Sequence, residues 1–90
     1  HCIGVGNGMD ALELALRAMG IGPGDEVLVP AHTFAACWMA VSAVGAKPVG
    51  VDVDSETGLM TAALAAPQLT RNTKAIMPVH LYGQACNMQE

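Results

Sequence analysis

The hydrophobic positions of this chain fall in short runs whose period switches between strand-like continuity and the three-to-four spacing of a helix. Cys2 to Val5 reads as a first strand. Asn7 is then placed to cap a helix in which Leu12, Ala15, Leu16 and Met19 share one face, widened by Ala11, Leu14 and Ala18. Only Asp10, Glu13 and Arg17 mark a polar side, and Glu13 and Arg17 are spaced as an i,i+4 pair, so this helix is expected to be mostly covered. Gly20 supplies a left-handed cap and Pro23-Gly24 a turn. "EVLVP" follows as a strand, and Thr33 is placed to cap an apolar helix from Phe34 to about Val44 that Gly45 closes. "KPVGVDV" is the next strand and "DSETG" a turn. Thr61 opens a helix at Ala62 that "TRNTK" terminates, and Pro67, which removes a backbone donor and clashes one turn back, predicts a kink or an early stop. "AIMPVHLYG" holds the last strand, ending near Pro78 because proline cannot donate within a ladder.

Strands alternating with helices predict an α/β fold with a mainly parallel sheet and flanking helices. Ninety residues would bury a core near the lower limit for independent stability. With no initiator Met, an opening on "HCIGV" and an end at "CNMQE", residues 1–90 are expected to be a segment of a larger domain without an internal boundary.

Charge and composition remove several classes of partner. A net charge of −4, four basic residues and 3% aromatic content leave neither a basic stripe for phosphate backbones nor rings for base stacking, so nucleic acid is not expected. The longest nearly apolar run, "FAACWMAVSAV", is about half of the ~20 residues a membrane span needs, so no membrane association is expected. Cys2, Cys37 and Cys86 are odd in number and widely spaced, which suits free thiols in a reducing compartment such as the cytoplasm.

The stretch "IGVGNGMDALELAL" raises the question of a phosphate site. A dinucleotide fingerprint requires a third glycine at position 9, which is Met9, and an acidic residue ending the second strand, where "EVLVP" runs into Ala31. What remains is a glycine turn leading into a helix start. Gly6 and Gly8 would let a ligand approach, and the N–H groups of Gly8, Met9 and Asp10 would face an anion. The plain alternative is that Asn7 caps and the glycines turn. "PAHTF" and "VHLYGQ" fall at the carboxyl ends of two further strands, the edge at which open α/β sheets bind ligands, and bring His32, Phe34, His80, Tyr82 and Gln84 to it. Phe34, the only phenylalanine, either stacks on a planar cofactor or packs the first turn of its helix.

Taken together and in order, "GVGNGMDALELALRAMGIGPGDEVLVPAHTF", "VGAKPVGVDVD" and "TKAIMPVHLYGQ" resemble the N-terminal half of the large domain of the DegT/DnrJ family, the pyridoxal-phosphate-dependent sugar aminotransferases of fold type I. The resemblance implies transfer of an amino group from glutamate or glutamine onto a keto sugar attached to a nucleoside diphosphate. It implies a pyridoxal 5'-phosphate cofactor and a homodimer with active sites at the interface. "NGMD" resembles the family's N-G-T-D loop, so Gly8, Met9 and Asp10 would hold the cofactor phosphate, with Met9 offering only its backbone where the family has a hydroxyl. "HTF" assigns the ring that stacks on the pyridine to Phe34; Cys37 stands where Thr or Ser is common. "HLYGQ" resembles a segment lining the same cavity, which makes His80 and Tyr82, with His32, candidate lining residues.

The family's Schiff-base lysine lies downstream of the matched region. Lys47 and Lys74 sit before their strands at the amino edge, and a strand of ~5 residues spans ~17 Å, beyond a lysine's reach, so this chain is expected to hold no catalytic residue and to be inactive alone. A relative in which His replaces that lysine would be a deoxysugar dehydratase; a nucleotide-binding α/β domain without transaminase activity and a non-catalytic remnant are the other readings. His32 with Cys37 and His80 with Cys86 lack the spacing of a zinc site, so no metal is expected. Asp52 and Asp54, beside "SETG", read as turn and cap residues.

Overall fold

The computed structural model describes residues 1–90. Three strands, β1 (Glu26–Pro30), β2 (Lys47–Val51) and β3 (Thr73–Ile76), form a wholly parallel sheet in the order β2-β1-β3. Helix α1 (Gly8–Ala18) precedes the sheet, α2 (Ala36–Ala43) joins β1 to β2, and the one-turn α3 (Ala62–Ala65) lies between β2 and β3. The expected α/β class with helices flanking a parallel sheet is what forms.

β1 is the centre because both its faces are apolar. Val27 and Val29 pack with Leu16 of α1 and with Cys37, Ala40 and Val41 of α2, while Leu28 points to the other side and joins Val51, Met60 and Ala65. Every β1 residue is buried, as expected for a strand covered on two faces. Each of the buried Val, Leu and Met side chains among them contributes roughly 1.5–3 kcal/mol relative to exposure, and the alanines less.

Local signals set most boundaries. Asn7, extended at φ −164, accepts the Asp10 N–H on its side chain at 2.9 Å and starts α1, which Gly20 ends at φ +73. The Glu13–Arg17 pair forms at 2.8 Å. Gly45, at φ +80, closes α2 with its N–H on the Ser42 carbonyl. The Thr61 side chain accepts the Leu64 N–H, and Pro67 gives the early stop: α3 ends at Ala65 and tightens into a 3-10 turn over Ala66–Gln68. Asp54 builds its turn alone, accepting from the amides of Glu56 and Thr57 and from the Thr57 hydroxyl. These bonds hold its carboxyl below the usual carboxylate range.

Four expectations are corrected. Cys2–Val5 is not a strand: it pairs with none of β1, β2 or β3, and Ile3 is 84% exposed. A strand exists only through its ladder, and apolar character alone supplies no partner. α1 is not mostly covered, since of its residues only Leu16 is buried and Leu14 is half exposed; α2 and β1 cover a single stripe of it. α2 starts at Ala36 without a side-chain cap, because the Thr33 hydroxyl meets Cys37 Sγ at 3.5 Å instead of a helix amide. The last strand begins earlier and ends at Ile76, after a one-residue register shift at Lys74, although Met77 still donates to Leu28 at 2.9 Å.

Candidate functional site at the carboxyl edge

The carboxyl ends of the strands are Pro30, Val51 and Ile76. The short Met19–Asp25 connection sends the chain from the end of α1 straight into the start of β1, so the two run in opposite directions and the N-terminus of α1 returns to the carboxyl edge. There Gly8 and Met9 carry amides that donate to no protein group, as the first N–H groups of a helix do. Asp10 does not join them, contrary to expectation: its N–H is taken by Asn7 Oδ1. The Asp10 carboxylate folds back over Gly6, where an added Cβ would stand 2.6 Å from Oδ2. Gly8 is the reverse case, since a Cβ there would meet no atom within 4 Å. The only atoms near Gly6 belong to the flexible, exposed Asp10 side chain, which can swing away, whereas the space over Gly8 is open beside two unpartnered donors. That is the arrangement an anionic group fits.

The segment leaving β1 is anchored before it reaches Phe34. Ala31 N–H donates to the Val51 carbonyl at 2.8 Å, and Trp38 Nε1 donates to the Pro30 carbonyl at 3.3 Å. Phe34 is then 79% exposed, so it does not pack the first turn of α2. It lines a cleft of about 380 Å³ with Ala31, His32, Thr33, Leu81 and Tyr82. The rings of His32 and Tyr82 meet edge to face, 6.3 Å between centroids at 61°.

Of the predicted lining residues, His32, Phe34 and Tyr82 come together in this cleft. His80 does not line it; its Nδ1 accepts the Cys86 N–H at 3.0 Å. Gln84 is exposed outside the cleft. Gly8 and Met9 share the edge but not the cleft, and Asp10 lines a separate recess with Gly4, Val5 and Gly6. Sequence reasoning missed Trp38 as the anchor of the Pro30 carbonyl. The available signal was an indole N–H in an otherwise apolar run, which needs an acceptor when partly buried.

Lys47 and Lys74 lie at the amino edge as expected, as the first residue of β2 and the second of β3. No three His, Cys, Asp or Glu residues gather into a metal-holding group. No helix is long and apolar enough to cross a membrane.

A parallel α/β sheet whose central strand is covered on both faces, with a glycine turn, an exposed ring and a cleft at its carboxyl edge, has the architecture in which open α/β sheets place their ligand sites. The family is narrower still. Residues 1–90 match the DegT/DnrJ/EryC1/StrS aminotransferase family throughout, and the chain belongs to this family of fold-type-I, pyridoxal-phosphate-dependent sugar aminotransferases. It is 52% identical over 88 residues to the dTDP-3-amino-3,4,6-trideoxy-alpha-D-glucose transaminase of Streptomyces venezuelae, covering 98% of this chain and 23% of that protein. The crystal structure of DesV from S. venezuelae superposes with a TM-score of 0.95 at 52% identity, over 97% of this chain and 24% of the other. NtdA from Bacillus subtilis, solved with bound cofactor PMP, superposes with a TM-score of 0.88 at 43% identity, over 91% of this chain and 19% of the other. The chain thus spans about a fifth to a quarter of the length of these relatives.

Proposed function

We propose that this chain forms part of the large domain of an aminotransferase that uses pyridoxal 5'-phosphate to move an amino group from glutamate or glutamine onto a nucleoside-diphosphate keto sugar. The observation that carries the reading is Phe34: a large ring, 79% exposed, standing at the carboxyl edge where packing within residues 1–90 does not require it. Bound pyridoxal phosphate supplies an electron sink for bond cleavage at the amino-bearing carbon. The chain's own residues bind and orient. Gly8 and Met9 offer two amides and the dipole of α1 to the phosphate, and the open space over Gly8 admits it. Phe34 would cover one face of the cofactor ring and keep water from it, while Trp38 fixes the segment on which Phe34 stands. The Schiff-base lysine is assigned to a part of the protein outside this chain, because Lys47 and Lys74 stand at the opposite edge. A homodimer would use apolar surface such as Leu14 and Met19 of the α1 region, which the chain leaves exposed.

The test is to supply the complete protein with pyridoxal phosphate, glutamate or glutamine and a panel of nucleoside-diphosphate keto sugars. Matched formation of 2-oxo acid and amino sugar is expected. Dehydration of the sugar without amino transfer would place the protein in a deoxysugar dehydratase branch. Nucleotide binding with no retention of pyridoxal phosphate would refute the cofactor reading.

A further inference from the structure

The turn after β3 carries a backbone conformation that its own packing does not require. Tyr82 is the only non-glycine residue with positive φ, at φ 55 and ψ 26, and Gly83 follows at φ 80. L side chains seldom adopt this left-handed region, and where they do the surroundings must hold them there. Burial of the ring is not what offsets the strain, because Tyr82 is 91% exposed.

Bonds across the base of the turn do the holding. His80 is the centre of an inverse γ-turn, at φ −78 and ψ 69, with Leu81 N–H on the Val79 carbonyl at 2.9 Å. Its imidazole folds forward so that Nδ1 accepts the Cys86 N–H at 3.0 Å, and the buried Cys86 thiol donates back to the Val79 carbonyl at 3.2 Å. An accepting Nδ1 leaves the proton of the neutral ring on Nε2. The loop from Val79 to Cys86 is thereby closed at its base and presents Tyr82 at its tip, beside His32 and in the cleft that Phe34 lines.

We propose that Tyr82 contacts a planar heteroaromatic ring entering this cleft, and that His80 is a positioning residue that holds Tyr82 in place through the Cys86 amide. The proposal rests on the reading of the cleft as the cofactor region. The ring could belong to pyridoxal phosphate or to the base of a nucleotide substrate, and the two are separated by measurement.

Four variants of the complete protein test it: Tyr82→Gly, His80→Leu, His80→Asn and, as a reference for the cleft, Phe34→Ala. Glycine adopts the left-handed conformation freely, so Tyr82→Gly should leave the apo melting temperature unchanged or raised while weakening ring binding by about fivefold or more. Equilibrium dialysis of pyridoxal phosphate assigns the contact to the cofactor if retention falls; dialysis of a nucleoside diphosphate against the holoenzyme assigns it to the nucleotide if that falls instead. His80→Leu removes the acceptor and should speed hydrogen exchange of the Cys86 amide by about tenfold in the apo protein, with the same loss of binding. His80→Asn places an amide oxygen near the position of Nδ1 and should rescue both readouts. Tyr82→Gly that loses apo stability, or that binds both ligands like the parent while Phe34→Ala does not, overturns the proposal. Unchanged Cys86 exchange in His80→Leu overturns the positioning role. If Phe34→Ala also leaves retention unchanged, the reading of the cleft itself has failed.

Discussion

The two ends of the sheet are made by the same three strands and carry opposite chemistry. At the amino edge polar groups are paired inside the protein. Glu26, only 8% exposed, receives Lys47 Nζ at 3.0 Å and the Thr70 hydroxyl at 2.6 Å; its own N–H donates to Asn72 at 2.8 Å, and Lys47 N–H donates to Asp25 at 2.9 Å. Thr70, then Lys47, hold the Glu26 carboxyl below the usual carboxylate range. Basic residues gather at this end: Lys47 opens β2, Lys74 is second in β3, Arg71 precedes β3, and Arg17 in the last turn of α1 reaches Glu13 and the Ala43 carbonyl. At the carboxyl edge two amides lack partners, Phe34 and Tyr82 are exposed, and Tyr82 is held in a strained turn. The contrast teaches that an anion bound at the carboxyl edge by this chain is held by backbone dipoles and not by side-chain cations. At the amino edge Glu26 is satisfied within the protein; the carboxyl edge is open, as the proposed cofactor site requires.

The sharpest way to break the contrast is to remove the anchor under Phe34. Trp38→Ala should destabilise the apo protein by about 3 kcal/mol, the low end for tryptophan truncation because Trp38 is only partly buried, and should loosen cofactor as well. Trp38→Phe should lose only the bond to the Pro30 carbonyl, about 1 kcal/mol, in a chemical denaturation series. Equal stability in both variants would show that the indole N–H does nothing. At the helix start the expected change is smaller and of opposite sign. Met9→Thr, which adds a hydroxyl beside the two free amides, should strengthen cofactor retention by about 1 kcal/mol in equilibrium dialysis. Gly8→Val should weaken it, because the branched side chain fills space that the protein leaves empty.

The smallest effect belongs to the amino edge and depends on pH. The Glu26 carboxyl is depressed in the folded state, so its contribution to stability is present above its unfolded pKa and is lost as pH falls through the folded value. Thr70→Val removes the largest cause of that depression. Its melting temperature should lie below the parent's near pH 7, and the gap should close as the pH falls below about 4, where Glu26 protonates in the parent too. Cofactor retention at neutral pH should not change. A gap that widens in acid would contradict the sign of this linkage.

How much of this could be read beforehand follows the range of each interaction. Asn7, Gly20, Gly45, Thr61 and Pro67 act on neighbours within four residues, and each set the boundary its chemistry predicts. The buried run of β1 is equally legible, because a strand covered on both faces is apolar at successive positions and Gly and Pro bound this one to five residues. Cys2–Val5 failed because a ladder needs a partner that the segment's own sequence does not encode. Phe34 stands open between two roles in the sequence, and its exposure within residues 1–90 favours stacking over packing against α2. The Asp10 amide was misread because its occupant, Asn7, serves as the cap and takes the donor in the same act. Trp38 and the His80–Cys86 bond were missed for another reason: each joins a side chain to a backbone group through a turn geometry that no periodicity reports.

Phe34 tests the central claim most directly, because the claim needs the same residue to matter for the ligand and not for the fold. Phe34→Ala in the complete protein should loosen pyridoxal phosphate by ~1–3 kcal/mol in equilibrium dialysis and leave the apo melting temperature nearly unchanged, while Phe34→Trp should retain cofactor because a larger ring still stacks. An apo melt that collapses in Phe34→Ala with no separate loss of cofactor affinity would contradict the account and return Phe34, with the carboxyl edge, to structure alone.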